Sequence, residues 1–213
     1  MKYKEYSYIY PPRPKNAIPT KNIPVWDNGM MIAQPKMNGS NCVLFTNGQK
    51  FIPMNRHSQN LTNFQLDKKE MEKLYSVCKP GEWLVINGEY LNKSKRDEKG
   101  EVFNHKLIIF DILVYNSEYM VGTTFEERIS LLDELYGTNE CSKNYLYQFT
   151  ENIYRVKSYD KDFLNIFNQL IKIDMVEGLV MKRKNAKLEL GTTENNNSKS
   201  QVKARKPTKN YKF

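Results

Sequence analysis

Two long apolar runs constrain the fold of this chain more than any other feature. They are EWLVINGEYL at residues 82–91 and HKLIIFDILVY at residues 105–115, both rich in β-branched and aromatic side chains. Neither run alternates regularly between apolar and polar residues, as a strand with one solvated face would. We therefore predict two buried strands at the centre of a sheet, around which the rest of the chain must be arranged.

Shorter runs predict that the sheet continues on both sides of these strands. The segments MMIAQP at 30–35 and CVLFTNGQKFIPM at 42–54 alternate between apolar and polar residues. Asn47-Gly48 lies inside the second segment and predicts a two-residue hairpin turn. Three later segments complete the pattern: a strand EGLVMKR at 177–183, a polar loop GTTENNNSKS at 191–200 and a last strand QVKARK at 201–206.

Capping residues followed by periodic apolar side chains predict three helices. The periodicity in each case places the apolar residues on one face, as expected for a helix that packs against a sheet. The predicted helices are residues 67–77 capped by Asp67, residues 123–137 capped by Thr124 and Glu127 and ended by Gly137, and a helix capped by Asp160 whose inner face carries Phe163, Ile166, Phe167 and Leu170.

Together these elements predict one α+β domain built on antiparallel hairpins, with helices packed outside. Residues 1–29 are rich in proline and lack periodicity, so we expect an extended N-terminal arm followed by a domain over residues 30–213. Three widely spaced cysteines argue against a disulfide framework or a zinc knuckle and favour a reducing cytoplasm. No apolar run has the length of a membrane span, and no signal peptide is recognisable.

Positive charge is concentrated at one end of the chain. The net charge is +9, and residues 181–213 hold ten Lys or Arg against Glu189 and Glu194, which gives +8 for this segment. Such a basic end favours a phosphate-rich partner, with a solvated tail as the alternative. The abundance of Lys and Asn also suits an AT-rich genome, such as a viral one.

A few charged residues stand in positions that suggest chemistry. Lys36 follows a predicted strand and precedes a turn at Gly39, so its amine can point into a cleft. Glu89 and Glu177 each interrupt an apolar strand. In the last strand, Lys203 and Arg205 are two positions apart and so share a face.

Taken singly, these residues could be a surface lysine, strand-edge glutamates and a solvated strand edge. Taken together, they suit the capture of a phosphoryl group by an amine. The carboxylates would hold a divalent metal, and the two cations would stabilise negative charge on the phosphates.

The order of five short motifs resembles the covalent nucleotidyltransferase superfamily, which contains ATP-dependent DNA ligases, RNA ligases and mRNA capping enzymes. The resemblance covers residues 30–206, and no single motif is as specific as their order and spacing. The motifs are KxxG at 36–39, GEY at 88–90, FDIL at 110–113, EGLVxK at 177–182 and VKxRK at 202–206. This resemblance implies a nucleotidyltransferase fold and an ATP-dependent polynucleotide ligase. Such an enzyme joins 5′-phosphate to 3′-hydroxyl ends through lysyl-AMP and adenylated-end intermediates.

The same resemblance implies a role for each matching residue. Lys36 would be the nucleophile that becomes bonded to AMP, and Gln34 would lie beside the edge of the adenine. Phe110 would stack on the adenine, with a place in the core as its alternative. Arg56 would contact the ribose or the incoming 5′-phosphate.

The remaining matches concern the metal and the phosphates. Glu89 would bind the ribose hydroxyl and a metal ion, and Glu177 would act with the metal, which in this family is Mg²⁺ or Mn²⁺. Lys182, Lys203 and Arg205 would contact the phosphates of ATP.

Departures from the motifs leave the polymer open. DNA ligases and capping enzymes usually have KxDGxR, whereas this chain has KMNGSN, with Asn38 and Asn41 in place of the acid and the arginine. Asn41 resembles RNA ligases that seal nicks in duplex RNA, whereas VGTTFEERISLL at 121–132 is similar to DNA ligases. RNA is favoured over DNA. A capping guanylyltransferase and a non-catalytic nucleic-acid binding module are the further alternatives.

Only PTKNYKF follows the last motif, so we expect no C-terminal OB-fold in this sequence. The basic end and the Tyr- and Pro-rich arm are the candidates for clamping nucleic acid in its place. We expect a monomer that acts on nucleic acid and not on a membrane.

Overall fold

The computed structural model describes residues 1–93 and 95–207. Within them the chain forms eleven strands and four α-helices, and a short 3-10 helix covers Thr20–Asn22. The strands are β1 Arg13–Ala17, β2 Met31–Met37, β3 Ser40–Thr46, β4 Phe51–Met54, β5 Leu84–Leu91, β6 Lys106–Tyr115, β7 Glu118–Tyr119, β8 Leu146–Gln148, β9 Ile153–Val156, β10 Val176–Arg183 and β11 Asn197–Arg205. The helices are α1 Ile23–Trp26, α2 Lys68–Tyr75, α3 Phe125–Tyr136 and α4 Phe163–Leu170.

The strands form two sheets. The smaller sheet has the order β1-β11-β10-β2, and the larger one has the order β4-β3-β5-β6-β9-β8, with β7 paired to β6. Most neighbouring strands are antiparallel, but β1 pairs with β11 and β6 pairs with β9 in parallel. This confirms the α+β architecture with antiparallel hairpins and adds two parallel pairs that the sequence pattern did not indicate.

The two central strands are where the apolar runs predict them. β5 and β6 pair along their length in the middle of the larger sheet, and most of their side chains are buried. Gly88 allows this close pairing, since a Cβ there would lie 2.6 Å from the carbonyl oxygen of Ile108. Both faces of the sheet are covered, one by α2 and α3 and the other by the N-terminal residues around Tyr3.

Two of the three predicted helix caps are confirmed. The Asp67 side chain accepts a hydrogen bond from the Glu70 amide, and Thr124 with Glu127 forms a complete capping box. The prediction that Asp160 caps the third helix is wrong. That helix begins at Phe163, whose amide donates to Asp27 Oδ2 at 3.1 Å, so a residue distant in sequence supplies the cap.

The predicted two-residue turn is also wrong in length. Thr46 pairs with Phe51, so four residues connect β3 to β4. The Asn47 side chain accepts hydrogen bonds from the amides of Gln49 and Lys50, which closes a longer turn around the same residue pair. Gly48 has φ +84° and lies against the Tyr75 ring.

The polar loop before the last strand is shorter than predicted, because β11 begins at Asn197. Its first residues pair with β1, so the N-terminal segment contributes a strand to the smaller sheet. The division into an arm over 1–29 and a domain over 30–213 stays a prediction. The last basic residues of the predicted tail, Lys209 and Lys212, lie outside the described residues.

None of the helices formed by residues 1–93 and 95–207 is long and apolar enough to cross a membrane.

Candidate active site

A cleft of about 710 Å³ lies where the two sheets meet. β2 belongs to the smaller sheet and β3 to the larger one, and only two residues connect them, so the chain crosses between the sheets at the predicted KxxG motif. The structure brings all nine predicted site residues to the wall of this one cleft: Gln34, Lys36, Arg56, Glu89, Phe110, Glu177, Lys182, Lys203 and Arg205.

The amine of Lys36 and the carboxylate of Glu177 form a close ion pair in the cleft. Lys36 pairs with Gly178 across β2 and β10, which places the preceding residue, Glu177, beside it. Lys36 Nζ lies 2.5 Å from Glu177 Oε2, and Arg205 Nε lies 3.6 Å from the same oxygen. A Cβ on Gly178 would overlap the carbonyl oxygen of Ala204, so only glycine lets β10 and β11 pair this closely.

Asn38 connects Glu177 to a further cation. In the amide orientation that satisfies both of its neighbours, Asn38 Nδ2 donates to Glu177 Oε1 at 3.2 Å and Asn38 Oδ1 accepts from Lys95 Nζ at 3.0 Å. One carboxylate oxygen of Glu177 therefore contacts the Lys36 amine, and the other accepts a hydrogen bond from the neutral amide of Asn38. An aspartate at position 38 would instead place a second carboxylate against Glu177.

Glu89 faces the same region from β5. Its Oε1 accepts a hydrogen bond from the Gly39 amide at 3.1 Å. Burial raises the pKa of Glu89 to about 7, and the negative charge of Glu177 contributes, whereas Lys36 and the Gly39 amide oppose the rise. A cation beside Glu89 would favour the ionised form of this buried carboxylate, so one would bind favourably here.

Gln34 and Phe110 give the cleft the chemistry of a site for a flat base. Gln34 is only 3% exposed, and its Nε2 donates to Ser158 Oγ at 3.1 Å. Its Oε1 is buried and has no hydrogen-bond partner among the described residues. Phe110, on β6 of the larger sheet, is partly exposed and lines the same cleft. An unsatisfied acceptor and an aromatic face in one cleft would be matched by a ligand that stacks and donates a hydrogen bond.

Lys203 and Arg205 share one face of β11, as their spacing predicts. Lys203 Nζ donates to the carbonyl oxygen of Pro14 at 3.2 Å, which links β11 to the N-terminal segment. Burial lowers the pKa of Lys203, and the positive charges of Arg205 and Lys36 lower it further. This concentration of positive charge in one wall favours an anionic ligand.

Arg56 lies at the rim of the cleft, in the turn after β4. Its Nε donates to His57 Nε2 at 2.9 Å, and His57 Nδ1 lies 2.5 Å from Glu194 Oε1. Glu194 belongs to the connection between β10 and β11, so this chain of contacts joins the two sides of the cleft.

The sequence model of the family described as "ATP dependent DNA ligase domain" matches residues 16–200. This chain belongs to that family. It is therefore an ATP-dependent ligase domain with the nucleotidyltransferase fold, as the order of the five motifs predicts. No curated protein sequence matches it.

Solved structures of ligases share the fold of this ligase domain. The crystal structure of the ligase domain of M. tuberculosis LigD aligns with a TM-score of 0.66 at 15% identity, over 94% of this chain and 61% of that one. The ATP-dependent DNA ligase of bacteriophage T7, in complex with ATP, aligns with a TM-score of 0.55 at 13% identity, over 92% of this chain and 68% of that one.

A structure described as a Lig E DNA ligase, binding DNA with a minimal scaffold, aligns with a TM-score of 0.50 at 15% identity, over 84% of this chain and 62% of that one. The ligase domain thus spans about three fifths of the length of several solved ligases that it matches.

A divalent metal fits the carboxylates of the ligase domain. Among the described residues, no group of three His, Cys, Asp or Glu side chains is placed to hold an ion. Glu89 and Glu177 nevertheless offer carboxylate oxygens to one cleft, and burial raises the pKa of Glu89, so a cation there would favour its ionised form. Mg²⁺ is commonly held by one or two carboxylates together with water and substrate phosphates, and this donor set suits it.

Sequence reasoning missed several residues of the ligase domain that support the site. They come from loops or from positions whose role depends on a distant partner. Only Asp111, inside the FDIL motif, carried a signal, because an acid in a buried strand requires a partner. The missed residues are Arg13, Lys95, Asp111 and Arg128.

Lys182 is a buried cation of the ligase domain that forms no ion pair with a carboxylate in the part of the chain that the structure describes. Its Nζ lies 4.4 Å from the centre of the Phe125 ring and 5.0 Å from that of Phe110. Burial lowers the pKa of Lys182 to about 8, opposed by the charge of Asp111 and assisted by that of Arg128. The buried positive charge of Lys182 therefore lowers the free energy of unfolding when no anion is bound.

Replacing Lys182 by methionine is expected to stabilise the fold at pH 7. Between pH 8 and 10.5 the folded state binds fewer protons at Lys182 than the unfolded state does. The charged, buried Lys182 therefore lowers the free energy of unfolding by its full amount below pH 8, and this loss disappears as the pH rises. Lys182→Met should raise the free energy of unfolding by about 1–3 kcal/mol at pH 7. Urea unfolding at pH 7 and at pH 9.5 measures this gain, which should be smaller at the higher pH. A variant less stable than the parent at pH 7 would contradict it.

Proposed function

We propose that this ligase domain seals polynucleotide nicks by forming an AMP adduct on Lys36. The Lys36 amine attacks the α-phosphorus of ATP, a nitrogen–phosphorus bond forms, and the bond to pyrophosphate breaks. The AMP then passes to the 5′-phosphate of the nick. A 3′-hydroxyl displaces it and closes the phosphodiester. The observation that supports this most directly is the ion pair between Lys36 Nζ and Glu177 Oε2, at 2.5 Å, inside the cleft.

Glu177 suits two tasks in this reaction. The attacking amine must give up a proton, and Glu177 Oε2 is the carboxylate oxygen beside it. Asn38 holds the other oxygen of Glu177 and so fixes the direction of the carboxylate. Together with Glu89, Glu177 would hold Mg²⁺ or Mn²⁺, which supplies charge neutralisation to the phosphates when it is bound.

The base end of the cleft favours ATP over GTP. Gln34 Oε1 is a buried acceptor with no hydrogen-bond partner within residues 1–93 and 95–207, and the exocyclic amine of adenine is a donor that would satisfy it. Guanine presents a carbonyl oxygen at the corresponding position, which would leave two acceptors facing each other. Phe110 would stack on the base. This preference argues against a capping guanylyltransferase.

Different cations of the cleft would contact the phosphates of ATP and the 5′-phosphate of the nick. Lys182, Lys203 and Arg205 would contact the phosphates of ATP and stabilise the charge that develops on the leaving pyrophosphate. Arg56, at the rim, would contact the 5′-phosphate of the nick. A binding module that had lost catalysis would have no need for the pairing of Lys36 with Glu177.

Two polymers are candidates, each favoured by one observation. Asn41 favours nicks that contain RNA, which we take as the first candidate, whereas the family match favours DNA. Asn41 Nδ2 donates to Asn87 Oδ1 at 2.9 Å and to the Gly88 carbonyl at 3.1 Å, so its amide supports β5 beside Glu89 rather than offering the charge of an arginine. Because the reaction consumes ATP, we place it in the cytoplasm. We expect a monomer to act on one nick, and we assign the reaction to nucleic-acid repair.

Incubation with α-labelled nucleotide tests this function. With ATP and Mg²⁺, the protein should become labelled on a denaturing gel, and the label should transfer to the 5′-phosphate of a nicked duplex before the nick is sealed. Nicked RNA, nicked DNA and duplexes with RNA on one side of the nick distinguish the polymers. Labelling by GTP alone would show a capping enzyme, and no labelling by either nucleotide would leave only binding.

A further inference from the structure

A second groove of about 550 Å³ adjoins the nucleotide cleft. It lies between the start of α3, the end of β10 and the beginning of β11. Four residues line both spaces, so the groove and the cleft are continuous: Pro12, Lys182, Asn197 and Gln201.

The groove is positively charged. Arg183, Lys187 and Lys199 line it and are exposed. Within residues 1–93 and 95–207, none of the three forms an ion pair with a carboxylate. The acid among the lining residues is Glu189. Like charges gathered in one concave surface repel each other, and an anionic ligand would offset that repulsion.

Neutral donors line the groove together with these cations. The lining includes amide and hydroxyl side chains from both edges, which are Asn185, Asn196, Asn197, Ser198, Ser200 and Gln201. A mixture of Lys or Arg with Asn, Gln and Ser is the set of side chains that contacts phosphate and sugar oxygens in nucleic-acid complexes.

We propose that this groove binds the phosphodiester backbone of the polynucleotide whose end is joined in the cleft. The proposal rests on the proposed function, since it assigns the path of that enzyme's substrate. The polyphosphate of ATP has the same chemistry. However, Lys187 and Lys199 line the groove and take no part in lining the nucleotide cleft, so they lie on a path that leads away from ATP.

Charge reversal in the groove tests this path. The full chain carrying both Lys187→Glu and Lys199→Glu is compared with one carrying Lys69→Glu and Lys79→Glu, which changes the net charge equally. The control lysines are exposed on and after α2. That helix packs against Leu44 and Ile86, on the face of the larger sheet opposite the cleft residues Asn41 and Glu89. Binding of a nicked duplex is measured without ATP across salt concentrations, and self-adenylation is measured separately.

The groove variant should bind the nicked duplex at least about tenfold more weakly than the control variant, with a salt dependence reduced by about two ion equivalents. Its self-adenylation rate should stay within about twofold of the rate of the parent. This is well below the tenfold change that corresponds to about 1.4 kcal/mol. Equal binding and equal salt slopes for the two variants would refute the groove. Lost adenylation with unchanged duplex binding would also refute the groove proposal, because the groove would then bind the polyphosphate of ATP instead of the polynucleotide.

Failure of the proposed function would give a different result from failure of the groove proposal. If the parent is never adenylated by ATP, the ligase mechanism is wrong whatever the groove variant does. Duplex binding is measured without ATP, so its loss in the groove variant would still identify the groove as a polynucleotide site.

Discussion

Lys36→Arg is expected to abolish self-adenylation, with a loss of at least about a thousandfold. Arginine keeps the positive charge that faces Glu177 but offers no nucleophilic amine at neutral pH. The fold and the electrostatics of the cleft should therefore change little, and the chemical step should fail. Transfer of α-labelled ATP to the protein measures the effect directly.

A pre-adenylated nick separates chemistry from folding in this variant. Sealing such a nick needs no attack by Lys36, so Lys36→Arg should retain it while losing ligation that depends on ATP. Lys69→Arg, at an exposed position on α2, is the matched control and should label like the parent. Normal labelling of Lys36→Arg would mean that another residue is the nucleophile.

Arg128→Met is expected to cost about 3–5 kcal/mol of the free energy of unfolding. Arg128 and Asp111 are each only 2% exposed and form a bidentate ion pair, with Nε to Oδ1 at 2.7 Å and Nη2 to Oδ2 at 3.1 Å. Removing the guanidinium leaves a buried carboxylate without its main partner. Urea unfolding followed by circular dichroism measures the loss.

Two comparisons identify the cause of that loss. Replacing both partners, with Asp111→Leu and Arg128→Met together, should recover much of the stability, because no unpaired charge remains. Lys68→Met breaks an exposed pair with Glu72 and should leave stability nearly unchanged. If Arg128→Met were as mild as Lys68→Met, the buried pair would not be important to the fold.

Local signals account for the parts of the fold that the sequence predicts well. The apolar run at 105–115 becomes a buried strand because its own residues make any exposed conformation unfavourable. The Thr124 and Glu127 capping box satisfies amides within a single turn, so its four residues are sufficient to begin α3. Both features are determined within a few residues and could be predicted from sequence.

Features that depend on distant partners could not be predicted. α4 is capped by Asp27, and Asp160 has the right residue type but not the right position relative to Phe163. The pairing of β1 with β11 joins residues almost the whole chain apart. Asn47-Gly48 correctly marks a turn, but the bonds that its side chain makes with the following amides set the loop length.

The candidate site divides in the same way. The period of a strand places Lys203 and Arg205 on one face, and the order of the motifs predicts that Lys36 and Glu177 belong to one site, but not that they form an ion pair. Nothing near Lys95 in the sequence indicates that it reaches Asn38, since that contact depends on the course of the loop between β5 and β6. Arg128 occupies a helix position that sequence alone would read as solvent-exposed.

Mass spectrometry of the intact chain after incubation with ATP and Mg²⁺ tests the central claim most directly. We expect a mass increase of one AMP less one water, and peptide mapping should place the adduct on the Lys36 side chain through an acid-labile phosphoramidate bond. A chain that gains no such mass, or that carries the adduct on a different residue, would contradict the account.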